Sequence, residues 1–145
     1  MKKVLLVEDN GSLSMDLIKK IEEIGGCQVE RAYSYSSAWG FWDEDKGDYD
    51  CIILDLQINP HGLTLREANK YAPIFGIAFL DKICEGKSSD EVAGIYKKTI
   101  IYSGFVKELK DFSKLNNRDF SKIKIIPKTG FSISELVKSV ERIIR

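Results

Sequence analysis

The most constraining stretch of the chain is Asp50-Cys51-Ile52-Ile53-Leu54-Asp55, a short apolar run that stops on a carboxylate. Runs of roughly four to eight such residues form strands covered on both faces, the central position in a parallel sheet. An aspartate at the C-terminal tip of such a strand lies in the crevice where open α/β sheets place their ligands. Lys3-Val4-Leu5-Leu6-Val7 repeats the pattern and runs into Glu8-Asp9. Two strands of this kind bring Glu8, Asp9 and Asp55 to one sheet edge. Converging anions raise one another's pKa unless a cation sits among them. An all-oxygen donor set suits a hard divalent ion, Mg²⁺ before softer metals.

The rest of the chain alternates in the same way. Strands are expected over 3–8, 27–32, 50–55, 99–102 and 122–126, with helices between them. Leu13, Leu17, Ile18, Ile21 and Ile24 recur at helical spacing after a turn at Asn10-Gly11-Ser12, with Ser12 as the expected cap and Gly25-Gly26 as the stop. Ser34, Ser36 and Ser37 offer caps for a second helix through Trp39, Phe41 and Trp42, whose aromatic groups read as helix packing. Thr64 can cap a helix through residue 83, which Pro73 and Gly76 either kink or divide in two. A further turn or two of helix is expected from Asp90 to Tyr96. Phe105, Leu109 and Phe112 mark another helix, with Lys107, Lys110 and Lys114 on a solvated face. Ser132 is the expected cap of a last helix with a stripe of Ile133, Leu136, Val137, Val140, Ile143 and Ile144. Strands alternating with helices give an α/β fold with a parallel sheet and right-handed crossovers.

Bulk properties exclude several classes. At 145 residues the chain suits one domain spanning 1–145. Its 22 basic and 22 acidic residues cancel, so no bulk field draws it to nucleic acid or to an anionic membrane. Cys27, Cys51 and Cys84 are odd in number and widely spaced, which argues against a disulfide framework or a metal knuckle and for a reducing cytoplasm. No leader pattern opens the sequence, and no apolar run approaches the roughly 18 residues of a membrane span. His61, the one histidine, reads as a plain loop residue beside Pro60 and Gly62.

Four strand ends therefore carry polar groups: Glu8 and Asp9, Asp55, Ser103, and Lys128. In a parallel sheet they share one edge. Together they suit acceptance of a phosphoryl group, with Asp55 as nucleophile and Asp9 and Glu8 holding Mg²⁺. Ser103 offers a hydroxyl to a phosphoryl oxygen, and Lys128 pairs with another as a point charge.

Val4-Leu5-Leu6-Val7-Glu8-Asp9-Asn10, Ile52-Ile53-Leu54-Asp55-Leu56, Ile101-Tyr102-Ser103-Gly104 and Ile126-Pro127-Lys128 resemble the signature segments of the response-regulator receiver domain. The resemblance covers roughly residues 1–58 and 98–145. It implies a flavodoxin-like sheet of order 2-1-3-4-5 with helices on both faces. It also implies a phosphoryl group passed to Asp55 from a histidine kinase or phosphotransfer protein, and an output protein reached by contact. Asp9 would bind Mg²⁺ directly, Glu8 mainly through water, with Asp55 and the Gln57 backbone carbonyl as further ligands. Ser103 matches the switch hydroxyl and Lys128 the conserved-type lysine of the family. With no residues left after the helix ending at Arg145, the module is expected to stand alone.

Three departures qualify this. Ile125 replaces the aromatic switch residue three positions before the lysine. Pro127 precedes Lys128 and Thr129 follows it, whereas the family has proline after the lysine. The stretch from Asp55 to Ser103 is longer than usual by about a short helix and loop, the surplus lying in 59–98. That enlarged segment reads equally as a tolerated insertion or as a docking surface built on Phe75, Ile77, Phe79 and Ile83. The missing aromatic and the insert motivate a second reading, a pseudo-receiver that binds a partner without phosphorylation. A phosphatase of the haloacid-dehalogenase type needs an acid two residues after the nucleophile, where Gln57 stands. A nucleotide or flavin binder would place its phosphates against Glu8 and Asp9.

Overall fold

The computed structural model describes residues 1–129 and 132–145. Five parallel strands, β1 (Lys2–Val7), β2 (Cys27–Ala32), β3 (Cys51–Leu54), β4 (Thr99–Ser103) and β5 (Lys124–Pro127), form one sheet in the order β2-β1-β3-β4-β5. This is the expected doubly wound order, which reverses direction beside β1 and so opens a crevice between β1 and β3. Alternate side chains enter two cores. Val4, Leu6, Cys51, Ile53, Ile100, Tyr102 and Ile126 meet α1 (Gly11–Glu22) and α7 (Ser132–Ile144) on one face. Leu5, Val7, Ile52, Leu54 and Ile101 meet the remaining helices on the other.

Those helices are α2 (Tyr35–Glu44), α3 (Leu65–Tyr71), α4 (Gly76–Cys84), α5 (Ser89–Lys97) and α6 (Val106–Asn116). The segment read as one kinked helix or two is two, parted at Ala72-Pro73, where proline lacks the N–H that would continue α3. Thr64 caps α3 and Ser88 caps α5, each in a reciprocal capping box, with Glu67 and Glu91 respectively. The cap of α1 is Asn10 rather than Ser12: its Oδ1 accepts the Leu13 N–H at 3.0 Å. Ser132 is the first residue of α7, and its Oγ accepts the Thr129 N–H at 3.0 Å. Gly130, which follows Thr129 after the last strand, lies outside the described residues. β5 begins two residues later than expected, at Lys124.

The apolar surplus of 59–98 is spent inside the molecule. Ile77, Phe79 and Ile83 are buried, Phe79 meets Trp42 edge-on with ring centroids 6.4 Å apart, and Phe75 is half-buried. Ile77, Phe79 and Ile83 thus belong to the core rather than to a surface. A run of ring contacts joins α3 and α5 to α6: Tyr71 stacks on Phe112 at 6.0 Å, Phe112 stacks on Phe120 at 6.5 Å, and Phe120 meets Tyr96 at a tilt at 6.3 Å. Asp81 of α4 accepts two bonds from Arg118, at 3.1 and 2.7 Å, and one from the Tyr71 hydroxyl at 2.6 Å.

Candidate phosphoacceptor site

Each strand end delivers its polar group as the alternation of the pleat requires. β1 stops at Val7, and the Glu8 N–H still pairs with the Ala32 carbonyl at 2.9 Å, so Glu8 stays tucked under the sheet edge. Asp55 follows β3 directly, its N–H bonded to the Val7 carbonyl at 3.0 Å. Ser103 closes β4, and its carbonyl accepts the Lys128 N–H at 3.0 Å as β5 ends. These bonds pin β1 to β2 and to β3, and β4 to β5, at the point where the polar side chains leave them.

Glu8, Asp9 and Asp55 present carboxylate oxygens that all lie within 4.8 Å of one another. Glu8 and Asp55 are buried, while Asp9 is exposed. The Lys128 ammonium bridges the two buried acids, 2.7 Å from Glu8 Oε2 and 3.0 Å from Asp55 Oδ2. Glu8 Oε1 accepts the Asn10 N–H at 3.1 Å, and Asp55 Oδ1 accepts the Gln57 N–H at 3.3 Å. Burial first, and then the charge of Asp55, raise the Glu8 carboxyl above its ordinary value, although Lys128 pulls the other way. Asp9 is raised by the same two causes. Burial alone would lower Lys128, but its bond to Glu8 and the charge of Asp55 outweigh that and raise it. Three acids against one ammonium leave surplus negative charge, and the donors are all oxygen. That combination fits a hard divalent ion.

Ser103 is fully buried, and its Oγ accepts the N–H groups of Leu56 at 3.4 Å and Phe105 at 3.1 Å. It therefore sits one peptide from Asp55 with its own O–H as the bond it can donate. The site residues named from sequence (Glu8, Asp9, Asp55, Ser103 and Lys128) come together at this edge. Gln57 is exposed beside them and contributes its N–H to Asp55.

Three neighbours were not legible as site residues. Arg31 donates from Nε to the Glu8 carbonyl and from Nη2 to the Asp9 carbonyl, both at 3.1 Å; a cation near the end of the strand beside β1 was the available signal. Tyr102 lies under Lys128, with Nζ 5.7 Å from its ring centroid, and its hydroxyl meets Ser132 Oγ at 3.0 Å. Gly76 abuts the backbone of Asp55: a Cβ there would stand 2.3 Å from the Asp55 carbonyl oxygen. Ile125 is half-buried against the core of the α2–α6 face, so no ring occupies that position.

No family model and no curated protein matches the sequence. Solved structures do match the fold. The receiver domain of the Francisella response regulator 1452 superposes with a TM-score of 0.65 at 21% identity, over 99% of this chain and 97% of that one. Chemotaxis protein CheY4 of Vibrio cholerae gives 0.64 at 20% identity, over 99% and 98%. A response regulator receiver domain protein from Clostridium thermocellum gives 0.63 at 17%, over 99% and 94%. The fold is that of the response-regulator receiver domains. It extends over nearly the whole chain.

Proposed function

We propose that the chain is a phosphoacceptor receiver, in which Asp55 takes a phosphoryl group from a phosphohistidine of a histidine kinase or phosphotransfer protein. A carboxylate oxygen of Asp55 attacks phosphorus as the P–N bond breaks. The bonding pair stays on the imidazole nitrogen, which takes up a proton, and Asp55 becomes an acyl phosphate. Glu8, Asp9, Asp55 and the Gln57 carbonyl would hold Mg²⁺, which supplies the positive charge that lets an anionic carboxylate approach an anionic phosphoryl group. Lys128, already 3.0 Å from Asp55, pairs with a phosphoryl oxygen, and the Ser103 hydroxyl donates to another. The observation that carries this reading is the Lys128 ammonium bridging Glu8 and Asp55 at the mouth of the β1–β3 crevice. Phosphorylation adds charge and acceptor oxygens at that point, and output follows through protein contacts. A reducing, cytoplasmic setting suits the three free thiols, and no helix among the described residues is long and apolar enough to cross a membrane.

Ile125 favours one alternative, a module that binds its partner without phosphorylation, because the hydroxyl of Ser103 has no ring at that position to move with it. Intact mass after incubation with acetyl phosphate, with and without Mg²⁺, separates the two. A Mg²⁺-dependent gain of one phosphoryl group, absent from Asp55→Asn, is the expected result. Folded wild type that gains none would leave the constitutive binder.

A further inference from the structure

Arg31 lies near the end of β2, opposite Leu6 of β1. Its side chain runs on past the end of β1. There Nε and Nη2 take the carbonyls of Glu8 and Asp9, each at 3.1 Å. Those carbonyls belong to the two peptide groups on either side of the Asp9 Cα. Peptide groups are planar, and only two soft torsions lie between them. One guanidinium that grips both planes therefore fixes the direction in which the Asp9 side chain leaves the backbone.

Among the three acids, Asp9 is the one that needs this. Glu8 is 2% exposed and tied by Lys128 and the Asn10 N–H. Asp55 is 5% exposed and tied by Lys128 and the Gln57 N–H. Asp9 is exposed, so core packing does not orient it. On its C-terminal side the chain is anchored by Asn10, whose Oδ1 takes the Leu13 N–H and whose carbonyl takes the Ser14 hydroxyl at 2.8 Å. On the side towards β2 the anchor is Arg31. Asp9 is thus stretched between a capped helix and a two-pronged clamp.

We propose that Arg31 is a positioning residue that aims the Asp9 carboxylate at Glu8 and Asp55 and so sets the affinity of this cluster for a divalent ion. The inference rests on the phosphoacceptor reading in taking the three acids as an ion site. Position and charge make opposite demands here. The planar fork of arginine holds two acceptors at once, which the single ammonium of lysine does not reproduce. The positive charge, in contrast, repels a cation at the same acids. Removing Arg31 weakens ion binding if position governs, and tightens it if charge governs.

The test is calorimetric titration of Mg²⁺ into wild type, Arg31→Met and Arg31→Lys at fixed ionic strength, with urea unfolding of each in chelator as a separate reading of the scaffold. Groups that orient metal ligands typically contribute about tenfold or more in affinity. Both variants should therefore bind Mg²⁺ about tenfold more weakly than wild type, with lysine giving little recovery. Arg31→Gln, which keeps one amide donor, should fall between them and wild type, and it serves if methionine at this edge strand impairs folding. Wild-type affinity in all three variants would overturn the inference, as would tighter binding by Arg31→Met with Arg31→Lys unchanged. Wild type that binds no Mg²⁺ would sink the ion site along with it. Mg²⁺ binding in wild type that the variants fully retain would sink the role of Arg31 alone.

Discussion

Gly76 and Asp55 are packed backbone to backbone: the first residue of α4 donates its N–H to the Leu56 carbonyl at 2.9 Å, and a Cβ on it would stand 2.3 Å from the carbonyl oxygen of Asp55. Real Cβ contacts do not reach that distance, so Gly76→Ala must push either α4 or the Asp55 peptide. Overpacking at such a place costs about 1–3 kcal/mol. Urea unfolding should show that loss, and labelling by acetyl phosphate should slow as Asp55 shifts against Lys128. A variant as stable and as quickly labelled as wild type would mean that α4 yields freely.

Lys128→Met removes the one ammonium between two buried carboxylates. Removing one partner of a buried ion pair costs about 3–5 kcal/mol. The variant should be less stable than wild type in chelator, and added Mg²⁺ should raise its melting temperature more than that of wild type, because the ion then supplies the missing positive charge. Acyl-phosphate formation should fall by about tenfold or more, since a tenfold loss needs only about 1.4 kcal/mol at the transition state. Undiminished labelling would remove Lys128 from the mechanism.

The Arg118–Asp81–Tyr71 network predicts the opposite separation. Its members bind one another and Tyr96, in α3, α4, α5 and the segment before β5. Arg118→Met loses both bonds to Asp81 and the guanidinium that lies 5.0 Å over the Phe120 ring. A loss of about 1–2 kcal/mol is expected from hydrogen bonds to a charged group at a partly exposed site. Hydrogen exchange should quicken in α3 and α4, with acetyl-phosphate labelling within about twofold of wild type. A change in labelling as large as that from Lys128→Met would place this network in the chemistry.

Cys51 sets an alkaline limit. It is fully buried in β3, and burial pushes its thiol from 9.0 up to about 12, with Lys98 opposing. Between those values the unfolded chain has released the proton while the native chain keeps it. The unfolded state then binds fewer protons, so stability falls as pH rises, by about 1.4 kcal/mol per pH unit. The stability gap between wild type and Cys51→Ala should therefore narrow by about 1.4 kcal/mol between pH 8 and pH 10. A constant gap in urea unfolding at the two values would contradict this.

The strands and the clustered acids were legible because each announces itself locally. An apolar run ending on a carboxylate is a short-range pattern, and parallel pairing then brings the ends together without further information. Lys128 was legible for the same reason. Arg31 and Tyr102 were not, because their contacts depend on reach across the sheet edge: Arg31 bonds two and three residues beyond its own register partner, and Tyr102 touches α7 rather than Asp55. Gly76 looked like an interruption of a helix, since sequence does not show which backbone it will approach. The apolar residues of α4 looked like surplus because the partners that bury them, Trp42 among them, lie in α2, far away in sequence.

The line of ring contacts from Tyr71 through Phe112 and Phe120 to Tyr96 changes what kind of mechanical part α6 is. A helix held only by an apolar stripe can slide or tilt alone. Here α6 shares its rings with α3, α5 and the approach to β5, and each stacked pair adds about 0.5–1.5 kcal/mol beyond simple burial. Any displacement of α6 must either break several such pairs or carry its neighbours with it. Ring contacts thus tie α3, α5 and α6 together on that flank, so a shift of one of these helices is resisted by the other two.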